Sequence, residues 1–347
     1  MAAEILPKIF YCFFVKFKKN LYNDKVIRRF FESTFLLTPQ VNALSSSPPF
    51  MSQKGGLYNL KRNLIEDSSR SSGLLGDQIK NITPNKLRFC VFIRYLFLAI
   101  IKRQIFFCSR FAGPWFSHFG HFLLESFSRL QDYNPGEKLL FHPFDLDAMN
   151  DKIQKFQISL LEVIGIDQSQ IKIARNDPCL LILSKFSPEV VQFPLYIKPE
   201  AINFYQEISK RYRLKDSLNQ KLFFSRNNNL TINSRVSNLL NLEVENLFKK
   251  YKFQIIHPEL LSIENQISLV SNAQIISGFR GSAMHLAIFA SPGTPIMEFG
   301  DRELPGINTM QLEICNKLNL PFIFEPYDNL KDSLDLKSIE ENIIKLT

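Results

Sequence analysis

The sequence predicts an α/β protein of two doubly wound domains, and three observations lead there. Apolar runs of strand length alternate with helix-length segments from about residue 86 onward, which implies right-handed crossovers and parallel sheets. The alternation pauses near residue 215 and restarts at Lys221, so two units fit the 347-residue length. The stretch Asn272 to Asp301 is a compact β-turn-α-β unit. It reads as a strand at Gln274 to Ser277, the turn Gly278-Phe279-Arg280-Gly281-Ser282, a short apolar helix at Ala283 to Phe289 and a second strand ending at Glu298.

Taken in order, residues 1–41 form a basic amphipathic arm. Lys8, Lys16, Lys18, Lys19, Lys25, Arg28 and Arg29 lie among Ile9, Phe10, Phe13, Phe14, Phe30 and Phe31. Such a mixture suits an anionic membrane surface; a solvated basic helix packing its aromatic residues on the protein is the other reading. Residues 42–85 are rich in Ser, Pro, Gly and Asn, and predict an irregular segment.

The first α/β domain, 86–215, opens with strand-like runs at Leu87 to Leu96 and Gln104 to Cys108. A helix at about Ser117 to Gln131, a strand near Leu139 to His142 and a helix at about Met149 to Ile164 follow. Strands near Ile171 to Ala174 and Leu180 to Ser184 and a helix at Pro199 to Tyr212 complete it. The second domain, 216–347, has strands at Lys221 to Phe224 and Phe253 to Ile256 and helices at Ser234 to Lys250 and Ser262 to Asn272. After the β-turn-α-β unit come a helix at about Ile307 to Leu318 and a strand at Pro321 to Phe324.

Charge and cysteine usage narrow the class. The chain has 42 Lys and Arg against 33 Asp and Glu, but residues 1–110 hold 18 against 6, which leaves 24 against 27 for the rest. No nucleic-acid recognition motif accompanies the basic third, so no nucleic-acid partner is expected. Five scattered cysteines without a Cys-x-x-Cys pair argue against a disulfide framework and a structural zinc site, and fit a reducing, cytoplasmic setting. Lysines interrupt any N-terminal secretory pattern. The most apolar run, Cys90 to Ile101, is too short to span a bilayer.

Candidate chemistry concentrates at three places. In the helix starting near Ser117, a regular 100° periodicity puts His118, His121, Glu125 and Arg129 on one face. His121 with Glu125 at i, i+4 has the pattern of an imidazole held in one tautomer to take a proton from a hydroxyl; a solvent-exposed ion pair is the alternative. The two histidines supply no third metal ligand, so no metal is expected.

Arg226 follows directly on a strand, at the carboxyl end where open sheets meet ligands, and Arg235 lies a helical start later. In the turn, Gly281 and Ser282 leave helix N–H groups free beside Arg280, an arrangement that holds a phosphate. Glu298 is placed to accept hydrogen bonds from ribose hydroxyls; Asp301 in that place and a simple helix-capping role are the competing readings. His285, one turn beyond Gly281, is either a ligand contact or a buried core histidine.

Together these residues resemble glycosyltransferase family 61, the group that includes bacterial capsular-polysaccharide and lipopolysaccharide transferases. The resemblance runs from about Pro114 to Leu320 in three blocks. The first is Gly120-His121-Phe122-Leu123-Leu124-Glu125 with Arg129. The second is Leu222-Phe223-Phe224-Ser225-Arg226 with Arg235 and either Asn238 or Asn241. The third is Ser262-Ile263-Glu264-Asn265-Gln266-Ile267, then Ser271-Asn272-Ala273, Gly281-Ser282 and Phe289. The chain departs from the family at Arg280, where a histidine often precedes the turn glycine.

The resemblance implies two Rossmann-like domains facing a cleft in the GT-B manner, with 86–215 on the acceptor side and 216–347 binding the nucleotide-sugar. It implies an inverting transferase, with no cofactor or bound metal, that acts on a glycan or glycolipid acceptor. His121 with Glu125 would be the base; Arg226, Arg235, Arg280 and the Gly281-Ser282 terminus would hold the diphosphate. A peripheral, cytoplasmic enzyme extending a surface polysaccharide is the leading expectation. A non-catalytic sugar-nucleotide or polysaccharide-binding protein is the second, motivated by Arg280. A membrane-surface interaction protein is the third.

Overall fold

The computed structural model describes residues 34–37, 58, 62–63, 85–103, 105–143, 153–174, 180–192, 196–214, 220–226, 237–301, 309–328 and 333–346. They form a mixed α/β structure built on two five-stranded sheets. The first contains β1 (Thr34–Leu37), β2 (Ile105–Trp115), β3 (Leu139–Pro143), β4 (Ile171–Ile173) and β5 (Leu180–Phe186). Its spatial order is β1-β5-β2-β3-β4, with β2 to β5 mutually parallel and β1 antiparallel on the edge of β5. A two-stranded ribbon of β6 (Val191–Gln192) and β7 (Tyr196–Ile197) follows.

The second sheet contains β8 (Gln220–Phe224), β9 (Gln254–Ile256), β10 (Ala273–Phe279), β11 (Ile296–Asp301) and β12 (Phe322–Tyr327), all parallel, in the order β12-β11-β10-β8-β9. Counted from β8 this is the doubly wound order 2-1-3-4-5, and the winding reverses between β8 and β10. In the first sheet, counted from β2, the order is 3-2-1-4 and the reversal falls between β2 and β5. Open parallel sheets bind ligands outside the carboxyl ends of the strands at such reversals. Arg226 and the Arg280-Gly281-Ser282 turn lie there in the second sheet, and His118 and His121 follow β2 in the first.

One apolar core runs without interruption from Ala112, Trp115 and Phe141 of the first sheet to Leu222, Ile276 and Ile296 of the second. Tyr205 and Ile208 of the helix Pro199–Tyr212, together with the helices Ile263–Ser271 and Thr309–Leu318, lie between. The far face of the second sheet is sealed by a phenylalanine cluster with helices Asn238–Lys250 and Leu336–Leu346. There Phe223 lies 4.6 Å from Phe248 between ring centroids, and Phe279 5.3 Å from Phe299. This cluster gathers Phe223, Phe248, Phe253, Phe279 and Phe299, and the core between the sheets holds further phenylalanines.

Several elements differ from the sequence reading. Leu87 to Leu96 is not a strand: Phe89–Ile101 is a helix that buries Phe92, Leu96 and Ala99. Those three recur at helical spacing, and the density of β-branched and aromatic residues masked it. The strand β1 lies within the segment read as a basic amphipathic arm. Glu298 is in the middle of β11 rather than at its end. The ribbon and the helix Leu336–Leu346 were not expected. The remainder of residues 1–41, most of 42–85, and Arg235 lie outside the described residues.

The helix near Ser117 has a mixed form: α at Phe119–His121, π at Phe122–Ser126 and 3-10 at Phe127–Leu130. In the π turn the Phe127 N–H bonds the Phe122 carbonyl, five residues back. Two of the carbonyls in this turn take side-chain donors, Leu123 from the Tyr205 hydroxyl and Leu124 from Ser128 Oγ. Inserted π turns concentrate at functional sites.

Candidate active site

The carboxyl end of β2 leads straight into this mixed helix, and two hydrogen bonds fix the passage. Ser126 Oγ donates to the Pro114 carbonyl at 2.7 Å, and Gln157 Nε2 to the Phe116 carbonyl at 2.8 Å. His121 Nδ1 then lies 2.6 Å from Glu125 Oε1. The carboxylate is 3% exposed and the imidazole 35%, so the acid is buried behind a ring that reaches the surface. That bond sets the proton on Nδ1 and leaves the lone pair on Nε2. Phe116 stacks on the ring at 5.4 Å, and His118 meets it edge-on at 5.5 Å.

The glycine turn occupies the reversal in the second sheet. The Arg280 N–H donates to the Phe299 carbonyl of β11 at 2.7 Å, and Arg226 Nη2 donates to the Arg280 carbonyl. Arg226 therefore lies across the turn. A Cβ on Gly281 would come 1.9 Å from Arg226 Nη2, so glycine is what admits the guanidinium. The eight-residue 3-10 helix Ser282–Phe289 starts at this point.

The two places meet through a second glycine. A Cβ on Gly120 would stand 2.9 Å from His285 Cδ2 and 3.1 Å from Ser282 Cβ. The His121–Glu125 helix is thus seated directly against the glycine turn. His118, His121, Glu125, Arg226, Arg280, Gly281 and Ser282, expected from sequence to act together, are brought into one neighbourhood.

His285 is the buried core histidine of the two readings. Its Nδ1 is 3.3 Å from Gln311 Oε1. Burial, reinforced by the nearby charges of His121, His118 and Arg280 and opposed by the Gln311 bond, lowers its pKa to about 4. It is neutral at pH 7 and supplies no charge to a phosphate.

Glu298 is fully buried, and neither carboxylate oxygen has a hydrogen-bond partner. It pairs in register with Gly278, so it projects from the sheet face on which the turn helix packs. Burial raises its pKa to about 7, although Arg280 and Arg226 pull the other way.

Three other candidates serve the scaffold or fall outside it. Arg129 does not share the His121 face. It is buried along Gly113, whose φ is +95° and where a Cβ would be 2.6 Å from Arg129 Cδ. Its guanidinium reaches the Ser187 carbonyl at 3.2 Å and Glu189 at 3.6 Å. The π turn breaks the 100° periodicity on which the shared face depended. Gln266 Nε2 clamps the Pro258 and Leu261 carbonyls at 2.7 and 3.1 Å. Arg235 is outside the described residues.

Sequence reasoning missed the cluster that fixes the end of β8. Ser225 Oγ donates to Glu245 Oε1, and Asn241 Nδ2 reaches the same oxygen at 3.1 Å and Ser225 Oγ at 3.4 Å. The i, i+4 pair of polar residues on an otherwise buried helix face was the available signal. This cluster holds the residue next to Arg226.

A model of the family described as glycosyltransferase 61 matches residues 119–297, more than half of the chain. The chain belongs to glycosyltransferase family 61. It is an enzyme that transfers glycosyl groups, with a nucleotide-sugar donor and a glycan acceptor implied. The match starts at the His121–Glu125 helix and takes in Arg226 and the whole glycine turn. No curated protein matches the chain.

A methyl group at the turn tests this geometry. Gly281→Ala is expected to displace the flexible Arg226 guanidinium and lower nucleoside-diphosphate affinity roughly tenfold or more, since one charge-assisted bond is worth about 1.5–3 kcal/mol. Titration calorimetry reads the affinity. An unchanged dissociation constant would separate Arg226 from the diphosphate.

Proposed function

We propose that this family 61 enzyme moves a sugar, with inversion and without a metal, from a nucleotide-sugar to a hydroxyl of a growing surface polysaccharide or glycolipid. It would work at the cytoplasmic face of a membrane, with its two sheets acting as the donor and acceptor halves of a GT-B arrangement. The observation that carries this reading is the contact of Gly120 with Ser282 and His285. It sets the hydrogen-bonded His121–Glu125 pair beside the turn that carries Arg226 and Arg280.

The chemistry follows from the positions. The acceptor oxygen attacks the anomeric carbon as His121 Nε2 takes its proton, and the bond from that carbon to the diphosphate oxygen breaks with its electrons on the leaving group. Glu125 stabilises the imidazolium that forms. Arg226, Arg280 and the N–H groups at Ser282 neutralise the departing diphosphate. Because two arginines flank the turn, Arg280 in the usual histidine position preserves positive charge there.

Among the described residues no three His, Cys, Asp or Glu side chains are arranged to hold a metal ion, and the proposed diphosphate neutralisation uses protein charge alone. The test is calorimetric titration with UDP, GDP, TDP and CMP, with and without EDTA, beside Arg226→Ala. Selective binding that survives EDTA and weakens by about 1.5–3 kcal/mol in the variant is the expected result. Metal-dependent binding, or a variant that binds like wild type, would overturn the assignment.

A further inference from the structure

The helix Phe89–Ile101 lies before the family match and takes no part in the site. Its inner face, Phe92, Leu96 and Ala99, packs with Tyr58 and Leu87 in a small core of its own. Its outer face is apolar apart from the exposed Arg94. On a 100° projection Cys90, Phe97 and Ile101 fall within about 40° of one another, opposite the buried residues. Phe97 is 62% exposed and Ile101 59%, and Phe89 is exposed at the helix start.

The charge around this face has one sign. Residues 78–124 contain no Asp or Glu, while Lys86, Arg88, Arg94, Lys102 and Arg103 stand on the helix or at its two ends, all exposed. A water-facing helix normally carries both signs and few large apolar groups. At thirteen residues the helix is about 20 Å long, short of a bilayer's hydrocarbon thickness. No helix among the described residues is long and apolar enough to cross a membrane.

We infer that this helix is a membrane-seating element, which lies in the plane of an anionic bilayer with Phe89, Phe97 and Ile101 in the headgroup–acyl boundary and its basic residues on the lipid phosphates. Charge complementarity is what selects the lipid surface over a second copy of the chain, since a homodimer through this face would bring five cations against five. The inference rests on the glycolipid side of the proposed function, because a bilayer-seated enzyme meets a lipid-linked acceptor without leaving the surface. It differs from the membrane reading of residues 1–41 in naming a folded element.

The test is co-sedimentation of the full chain with vesicles of phosphatidylcholine and phosphatidylglycerol in equal parts, and with phosphatidylcholine alone. Wild type is expected to partition onto the anionic vesicles and much less onto the neutral ones. Phe97→Ser with Ile101→Ser should lower partitioning at least about tenfold, and Arg94→Glu by several-fold, with stronger loss at low salt. Nucleoside-diphosphate binding measured on the same samples should be unchanged, which reports an intact fold. Equal partitioning of wild type and both variants would overturn the inference. So would a wild-type dimer that the double substitution converts to monomer without change in vesicle binding. Failure of diphosphate binding in the wild type would count against the transferase site and leave the vesicle result to stand alone.

Discussion

His121→Ala is expected to lower kcat by about 10²–10⁴-fold, the range for loss of a positioned general base, while donor affinity changes little. The imidazole is held from behind by a buried carboxylate, and the diphosphate is assigned to the arginines, so donor binding should survive its removal. The substitution has a structural cost of its own. It strips a hydrogen bond from the buried Glu125, and a hydrogen bond to a charged group is worth about 1.5–3 kcal/mol. Adding Glu125→Gln to His121→Ala removes the buried charge, so the double variant should regain part of that stability and none of the activity. Single-turnover rates, donor titrations and thermal unfolding on the three proteins separate the two effects. Recovery of activity together with stability would show that His121 props the fold and takes no proton. A parallel loss of donor binding would place it on the diphosphate instead.

The legibility of this pair in the sequence had a physical basis. His121 and Glu125 are four residues apart across a junction between α and π turns, and the spacing still brings the two side chains together. The expected face failed one turn later at Arg129, because the π turn shifts the phase and 3-10 winding follows. Nothing in Phe122-Leu123-Leu124-Glu125-Ser126 announces an i, i+5 hydrogen bond. Its stabilising donors come from Tyr205, 82 residues away, and from Ser128.

The second sheet was readable because each strand is bracketed by helix signals such as the Ser262 cap, whose hydroxyl accepts from the Asn265 N–H. The order of its strands was not, since order depends on which crossovers pack on which face. The helix Phe89–Ile101 was misread for a related reason. An apolar run whose outer face carries a single charged residue, Arg94, offers too little polar phase to tell period 3.6 from period 2. Its exposed phenylalanine and isoleucine are the cause of that ambiguity and the ground for assigning it to a lipid surface.

Glu298→Gln should raise the stability of the ligand-free enzyme above pH 7 and weaken its grip on a nucleoside. Burial without a hydrogen-bond partner lifts the carboxyl pKa from 4.5 to about 7. Between those values the unfolded chain has released the proton and the folded chain has kept it, so unfolding becomes easier as pH rises from about 4.5 to about 7 and then levels off. The shift corresponds to a penalty of up to about 3 kcal/mol at pH 8, absent below pH 4.5.

Glutamine has the same shape and no charge, so the variant's advantage over wild type should appear across that window and persist above it. Chemical denaturation at pH 4.5, 6 and 8 measures it. An advantage that is the same at all three pH values would mean Glu298 is not the titrating group. A buried acceptor kept at this cost has a functional explanation if ribose hydroxyls donate to it once the turn admits a nucleoside. The variant's diphosphate affinity would then hold while its nucleoside-diphosphate affinity fell, because the amide offers one weaker acceptor in place of two charged oxygens. Equal affinities for the variant and the wild type would leave Glu298 as strain without a ligand.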